Sequence, residues 1–245
     1  MKKILVLAVA MATIITFTGC DVKFGVKEKN HQKAEAISID EKVKYNGEDN
    51  IDIDLDYGEI NISNYDGDEV LVTGKSYENI NDIKVKSGFN KIKIKDKGLG
   101  EKGINLIKNN KDIDSNIEIK IPNSFKGNIN LDYGTGDVLV NNLTCKELKI
   151  DGGVGTANVN LSEAVDNIDI DGGVGDISLV LEKIGGDLKC DGGVGSVNIK
   201  VPENAPIYFD TDTGVGSVNL NAKTSGEKLY KFSLDAGVGD ITVTN

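Results

Sequence analysis

The chain has 245 residues, with 39 acidic and 28 basic side chains, one histidine and a net charge of −11 at pH 7. All of its basic charge comes from lysine because the sequence contains no arginine, so nucleic acids and anionic lipid headgroups are poor partners for the chain as a whole. One histidine, His31, and three cysteines are too few for a zinc site, a His-based triad or a disulfide framework, and no cofactor is expected.

The first predicted element is an export signal over residues 1–19. Two lysines precede an apolar run from Ile4 to Phe17, which is too short to span a bilayer. The run ends in Thr18, Gly19 and Cys20, which resembles the lipobox of bacterial lipoprotein precursors. This resemblance implies cleavage before Cys20 and a diacylglyceryl anchor on that cysteine. We therefore expect an extracytoplasmic, membrane-anchored protein, on the outer face of the plasma membrane in a Gram-positive cell, with residues 20–36 as a flexible tether.

Residues 37 to about 126 show the alternation of apolar and polar side chains that is typical of half-buried β-strands. The segment from Gly98 to Asn116 interrupts this pattern, and its glycine- and lysine-rich composition predicts a loop with at most one short strand. The alternating apolar positions are Ile51, Ile53, Leu55, Ile60, Ile62, Val70, Val72, Ile83, Val85, Ile92, Ile94, Ile117, Ile119 and Ile121.

A glycine turn led by an aspartate recurs from about residue 127 onward, at spacings of 19, 20, 20, 21 and 23 residues. A period near 20 with turn residues at a fixed phase predicts an all-β solenoid of stacked rungs, in which each rung is a strand, a glycine turn, a second strand and a return loop. The aspartates that lead the turns are Asp132, Asp151, Asp171, Asp191, Asp212 and Asp235.

The turns are expected to depend on glycine, which adopts positive φ without steric cost. The valine between the two glycines of each turn is predicted to fill the inside of the corner, at Val154, Val174, Val194, Val215 and Val238. The glycines assigned this structural role are Gly153, Gly155, Gly173, Gly175, Gly193, Gly195, Gly214, Gly216, Gly237 and Gly239.

Two cysteines remain beyond the signal. Cys190 occupies the repeat position that Ile150 and Ile170 fill in other rungs, so it is expected to be a buried apolar substitute. Cys145 falls at a different repeat position, which disfavours a disulfide between the two.

The ordered motifs IDIDLDYGEINIS, IEIKIPNSFKGNINLDYGTGDVLV and LKIDGGVGTANVNL together resemble a bacterial domain family of unknown function, called toastrack or putative adhesin. The resemblance covers residues 37–245. It implies a right-handed β-solenoid on an envelope protein, in some cases one linked to envelope stress, and it offers no catalytic residues to transfer.

Three functional hypotheses follow. The first is a non-enzymatic module that presents its β-surface to an envelope protein or a wall polymer, with possible self-association through the solenoid ends at the predicted edge strand Ile241 to Thr244. The second is a calcium-binding β-roll, although the spacing does not fit the nonapeptide calcium repeat. The third is a polysaccharide-active enzyme, which the repeating outward side chains disfavour. The aspartates considered as calcium ligands are Asp151, Asp171, Asp191 and Asp212.

Overall fold

The structure is a computed structural model that describes residues 35–109 and 113–245. The predicted signal, Cys20, His31 and nearly all of the predicted tether lie outside the described residues. None of the described helices is long and apolar enough to cross a membrane. Within the two described ranges the chain forms nineteen strands and one short helix, α1 (Glu101–Asn109).

The strands form two sheets. The nine-stranded sheet contains β2 (Asn50–Tyr57), β5 (Lys84–Gly88), β6 (Lys91–Lys95), β8 (Asn128–Thr135), β10 (Glu147–Val154), β12 (Asn167–Val174), β14 (Asp187–Asp191), β16 (Ile207–Val215) and β18 (Tyr230–Val238). The ten-stranded sheet contains β1 (Ala36–Lys44), β3 (Glu59–Tyr65), β4 (Glu69–Tyr77), β7 (Asn116–Pro122), β9 (Val138–Asn141), β11 (Ala157–Leu161), β13 (Ile177–Leu181), β15 (Val197–Lys200), β17 (Val218–Leu220) and β19 (Ile241–Thr244).

Each rung contributes one strand to each sheet, and equivalent residues of successive rungs lie side by side in parallel register. Ile150, for example, pairs with Leu131 on one side and with Ile170 on the other. The inward residues of both sheets meet in one continuous apolar core, because alternate side chains of a strand point to the same face. The predicted β-solenoid of stacked rungs is confirmed.

Both described cysteines are buried, and neither forms a disulfide. Cys190 lies level with Ile170 and Leu234 in the core, as its repeat position predicted. Burial raises the pKa of both thiols to about 12, so Cys145 and Cys190 are protonated and unreactive at neutral pH.

The N-terminal end of the solenoid departs from the repeat. Strands β1 and β4 run antiparallel beside β7, and β5 forms an antiparallel hairpin with β6. Between β6 and β7, the helix α1 lies in a chain segment that replaces the glycine turn of the other rungs. The prediction of a loop from Gly98 to Asn116 was therefore wrong. Helix α1 has only nine residues and contains a glycine, so its period was too short to recognise, although Glu101 in its first turn and Lys108 in its last favour helix formation.

The last two rungs are not stacked in chain order. The rung of β18 and β19 lies directly against β14 and β15, whereas the earlier rung of β16 and β17 forms the outer end. The inward residues explain this order: Phe232 and Leu234 of β18 are apolar, whereas Thr211 and Thr213 of β16 lie level with Leu234 and Ala236 and are polar. The more apolar rung is thus enclosed on both sides.

This order corrects the prediction of an unpaired edge from Ile241 to Thr244. That strand, β19, pairs with β15 on one side and β17 on the other. The edge strands at the C-terminal end are β16 and β17, and those at the N-terminal end are β5 and β1.

Candidate functional site

The glycine corner, where the chain passes from the nine-stranded to the ten-stranded sheet in each rung, combines the repeat's main sequence features. Its second glycine has positive φ in every regular rung, as at Gly155 (+141°) and Gly175 (+146°). A Cβ atom added to Gly175 would lie 2.0 Å from the carbonyl oxygen of Gly155 in the neighbouring rung. The rungs therefore approach each other closely along this corner, and only glycine fits there.

The first glycine of the turn is constrained by space. A Cβ on Gly153 would lie 2.1 Å from the oxygen of Gly134, and one on Gly173 would lie 2.3 Å from that of Gly153. Backbone packing between rungs thus requires glycine even where φ does not.

The valines of the corner point outward, contrary to the prediction that they fill its interior. The interior is already occupied, because the side chains of Tyr133 and Ile177 lie where Cβ atoms of Gly152 and Gly172 would be. Each valine is 48–67% exposed, and the five lie in register as a stacked column that we call the valine ridge, in the spatial order Val154, Val174, Val194, Val238 and Val215. With strands about 4.8 Å apart, the ridge is about 19 Å long.

The aspartates that lead the turns form a second column beside the ridge, which we call the aspartate ladder. Asp54 of β2 joins the predicted members, and Asp235 separates Asp191 from Asp212 because of the exchanged rung order. Apart from a 3.1 Å bond from the Gly193 amide to Asp191, no side-chain hydrogen bond or ion pair joins the six aspartates from Asp132 to Asp235 to other described residues. Five of the six carboxylates therefore form no hydrogen bond with the backbone of their own turn.

Neighbouring aspartates of the ladder lie close enough to each other for their charges to interact. Partial burial, followed by repulsion from ladder neighbours, raises the pKa of Asp132, Asp171 and Asp235 above its ordinary value. Among residues 35–109 and 113–245, no three His, Cys, Asp or Glu side chains are arranged so that they could hold a metal ion. The candidate calcium ligands Asp151, Asp171, Asp191 and Asp212 thus lie in one column without forming a recognisable metal site.

We predict that Asp171→Asn raises the melting temperature at pH 7. A carboxyl whose pKa is raised by folding contributes stability below its unfolded pKa of about 3.8, and this contribution is lost as the pH rises through the folded value. Asparagine carries no charge, so the variant does not lose this stability at pH 7. Removing the repulsion between Asp171 and the neighbouring aspartates raises the free energy of unfolding by at most about 1 kcal/mol. Thermal melts at pH 7 and pH 3 should show a gain only at the higher pH.

Asp169→Asn is the matched control on the same strand. Asp169 forms an ion pair of 3.4 Å with Lys189, so its removal should bring no gain. A lower melting temperature for Asp171→Asn, with the difference growing as calcium is added, would contradict the prediction and favour a calcium site.

A third column, not recognised in the sequence, follows the ridge. The residue after the second glycine alternates in space between aspartate and a hydroxyl residue, in the order Asp137, Thr156, Asp176, Ser196, Asp240 and Ser217. Each aspartate accepts a hydrogen bond from the backbone amide of the next residue in this order, at 2.8 Å for Thr156 and Ser196 and 2.9 Å for Ser217. These bonds join rungs across the corner. In chain order the alternation fails at Ser217, and this irregularity was the signal that could have revealed the rung exchange.

A buried, non-repeating polar cluster lies beside the α1 segment, and sequence reasoning missed it too. Asn81 accepts hydrogen bonds from Ser76 (2.5 Å) and Ser115 (2.9 Å), and its amide donates to Asp96 (3.2 Å). The amides of Asp56 and Gly98 also donate to Asp96. Burial raises the pKa of Asp96, although these bonds oppose the shift. Both carboxylate oxygens are already occupied by N–H donors, so the cluster is suited to fixing the chain segment rather than to proton transfer.

Comparisons with known proteins agree with this architecture. A family model described as the N-terminal domain of toast_rack, DUF2154, matches residues 26–180, and a second, described as Toastrack DUF4097, matches residues 132–244. No curated protein matches the chain.

Similar chains are found among solved structures. A crystal structure from Clostridium sporogenes, named a putative cell adhesion protein, shares the fold: it is 20% identical with a TM-score of 0.56 and covers 86% of this chain and 99% of its own. A putative adhesin from Bacteroides fragilis is 19% identical with a TM-score of 0.37, over 85% of this chain and 97% of its own. Because the first family model spans more than half of the sequence, the chain belongs to the toast_rack family.

Proposed function

We propose that this protein is a non-enzymatic cell-envelope lipoprotein, anchored through Cys20, whose valine ridge binds an extended segment of another surface protein. The observation that carries the proposal is the ridge itself. Single exposed apolar residues are common on protein surfaces, but a continuous apolar stripe on a monomer is typical of an interaction site.

The surroundings of the ridge indicate the chemistry of the partner. The aspartate ladder runs parallel to the ridge, three residues before each valine, so one flank is strongly acidic. An anionic wall polymer would be repelled by this flank. An extended polypeptide that combines apolar side chains with lysine or arginine would instead match both columns.

The structure of the corner favours binding without rearrangement. The valines stand on backbone that is fixed by close glycine contacts and by the Asp137, Asp176 and Asp240 hydrogen bonds. A preorganised surface loses less conformational entropy when a partner binds than a flexible one does. Adhesion and envelope-stress sensing both need a surface of this kind, and the identity of the partner decides between them.

The proposal predicts that a photo-crosslinking amino acid at Val174 captures a protein in intact cells, and that Val194→Lys in the same chain reduces the yield several-fold. A lysine there would interrupt the apolar stripe at the neighbouring rung. The yield is measured by immunoblot of the tagged lipoprotein, and the partner is identified by mass spectrometry.

Asn198 supplies the matched control. It is exposed on β15, outside the ridge, so a crosslinker at Asn198 should capture much less of the same partner, and Asn219→Lys should not affect capture at Val174. Equal yields from positions 174 and 198, or a yield unaffected by Val194→Lys, would refute the ridge as the binding site.

A further inference from the structure

We infer that the hairpin of β5 and β6 docks on an anionic lipid surface, with Phe89 entering the interface between headgroups and acyl chains. This inference rests on the membrane anchor proposed above. It concerns the N-terminal end of the solenoid, whereas the valine ridge lies on later rungs. It assigns a lipid-binding role to residues 84–97, which form the N-terminal edge of the nine-stranded sheet.

The first observation is the distribution of charge. Residues 84–97 contain six lysines and one aspartate in a chain whose net charge is −11. The overall charge makes anionic headgroups poor partners for the whole protein, but electrostatic attraction near a membrane acts over only about 10 Å at ordinary ionic strength. An anchored chain does not need long-range attraction, so the local charge of the hairpin decides its behaviour at the surface. The six lysines are Lys84, Lys86, Lys91, Lys93, Lys95 and Lys97.

Four of these lysines already have acidic partners. Lys91 pairs with Asp52 at 2.6 Å and Lys84 with Glu41 at 3.0 Å, while Lys95 contacts Asp54 and Lys97 contacts Asp82. Their charges are largely balanced by these neighbouring carboxylates.

Lys86 and Lys93 are different. They lie directly opposite each other across the β5–β6 pair. Neither forms an ion pair within 4.0 Å among the described residues, and Asp52, which lies level with Lys93 on β2, pairs with Lys91 instead. Like charges in opposite positions are destabilising, so an anion that binds between them would be favoured.

The second observation is Phe89 at the tip of this hairpin. It is fully exposed, and its φ of +28° is unusual for a bulky residue. The next residue, Asn90, holds the turn in place, because its side-chain oxygen accepts from the Asp49 amide at 3.1 Å and its side-chain amide donates to the Asp49 carboxylate at 2.7 Å. The turn thus presents an aromatic ring to solvent on a fixed support.

An aromatic residue flanked by lysines matches the chemistry of a bilayer interface. Aromatic rings favour the headgroup level, and lysine side chains extend their charged ends toward lipid phosphates. A soluble phosphate polymer would satisfy the lysines but offers no apolar layer for Phe89. The hairpin lies at the same end of the stack as β1, which is the other edge strand there and the first described strand of the chain.

The test uses the absence of tryptophan from the sequence. Phe89→Trp gives a single fluorophore at the hairpin tip, and Leu229→Trp gives a matched control at an apolar, 63% exposed position near the C-terminal end. The full chain is reconstituted in vesicles of phosphatidylglycerol and phosphatidylcholine, some containing brominated acyl chains. We expect the emission of Phe89→Trp to shift to shorter wavelength and to be quenched by bromine, while Leu229→Trp keeps its solution spectrum.

Lys86→Gln and Lys93→Gln, each added to Phe89→Trp, should lower the docking equilibrium about fivefold each in anionic vesicles, since a lysine near such a surface contributes about 1 kcal/mol. They should have little effect in pure phosphatidylcholine. Melting temperatures close to that of the parent chain confirm that the variants fold.

Several results would overturn the inference: unquenched Phe89→Trp in anionic vesicles, equal quenching at both tryptophan positions, or a shift caused by inorganic polyphosphate but not by vesicles. The anchor is checked separately, by mass spectrometry of the N-terminal peptide. The failure of the anchor and the failure of the hairpin are therefore distinguishable.

Discussion

Gly175→Ala is expected to lower the free energy of unfolding by about 3–5 kcal/mol, because it combines a strained backbone with a steric clash. The φ of Gly175 is +146°, and the added Cβ would lie 2.0 Å from the Gly155 oxygen, which belongs to backbone and cannot rotate away. The rungs on either side would have to separate at the corner. Denaturation by urea, followed by circular dichroism, measures the change.

Gly226→Ala is the control for this prediction. Gly226 lies outside the corner, its φ is not in the left-handed region, and a Cβ atom added there would meet no heavy atom within 4 Å. This variant should be neutral or slightly stabilising, since alanine restricts the unfolded chain. Similar losses in the two variants would show that close packing of glycines does not hold the corner together.

A disulfide between Lys189→Cys and Ser233→Cys is expected to form readily and to stabilise the protein by about 4 kcal/mol, since it closes a loop of roughly 45 residues. Residues 189 and 233 face each other on neighbouring parallel strands only if the last rung is inserted next to β14. Their separation of about 4.8 Å falls within the range that a disulfide spans. Non-reducing gel mobility and the melting temperature with and without reductant measure the result.

The pair Lys189→Cys and Asp210→Cys tests the alternative order. Asp210 lies level with Ser233 on β16, two strands from Lys189 and about 9.6 Å away, so this pair should stay reduced. If the rungs were stacked in chain order, the second pair would be oxidised and the first would not. Cys145 and Cys190 are buried with strongly raised pKa values, so they should not interfere.

Much of the solenoid could be predicted because every rung repeats the same local pattern of apolar, polar and glycine residues. The alternation of Ile168 and Ile170 with polar neighbours fixes which side chains enter the core, and the glycine turns fix where the chain changes sheet. The burial of Cys190 followed from its repeat position alone. These features depend on near neighbours in sequence, which is the information that periodicity carries.

Other features depend on contacts between distant residues. Val154 was assigned to the core because it is apolar. The space inside the corners is filled instead by Tyr133, which comes from a neighbouring rung, and by Ile177, which comes from the next strand of its own rung. Asp96 follows Ile92 and Ile94 at an inward position. The hydrogen bonds that it accepts from the Asn81 side chain and from the backbone amides of Asp56 and Gly98 explain how a carboxylate is accommodated there. The order of the last two rungs depends on a comparison of Thr211 with Leu234, which local alternation does not make.

The alternation of aspartate with serine or threonine along the corner has a consequence for how such a solenoid can change its length. Each hydrogen bond joins an aspartate on one rung to the backbone amide of a serine or threonine on the next, so a single duplicated rung would break the alternation and place two aspartates or two hydroxyl residues side by side. A duplicated pair of rungs would preserve every bond from Asp137 to Ser217. The unit of growth that keeps the alternation is therefore two turns of chain rather than one.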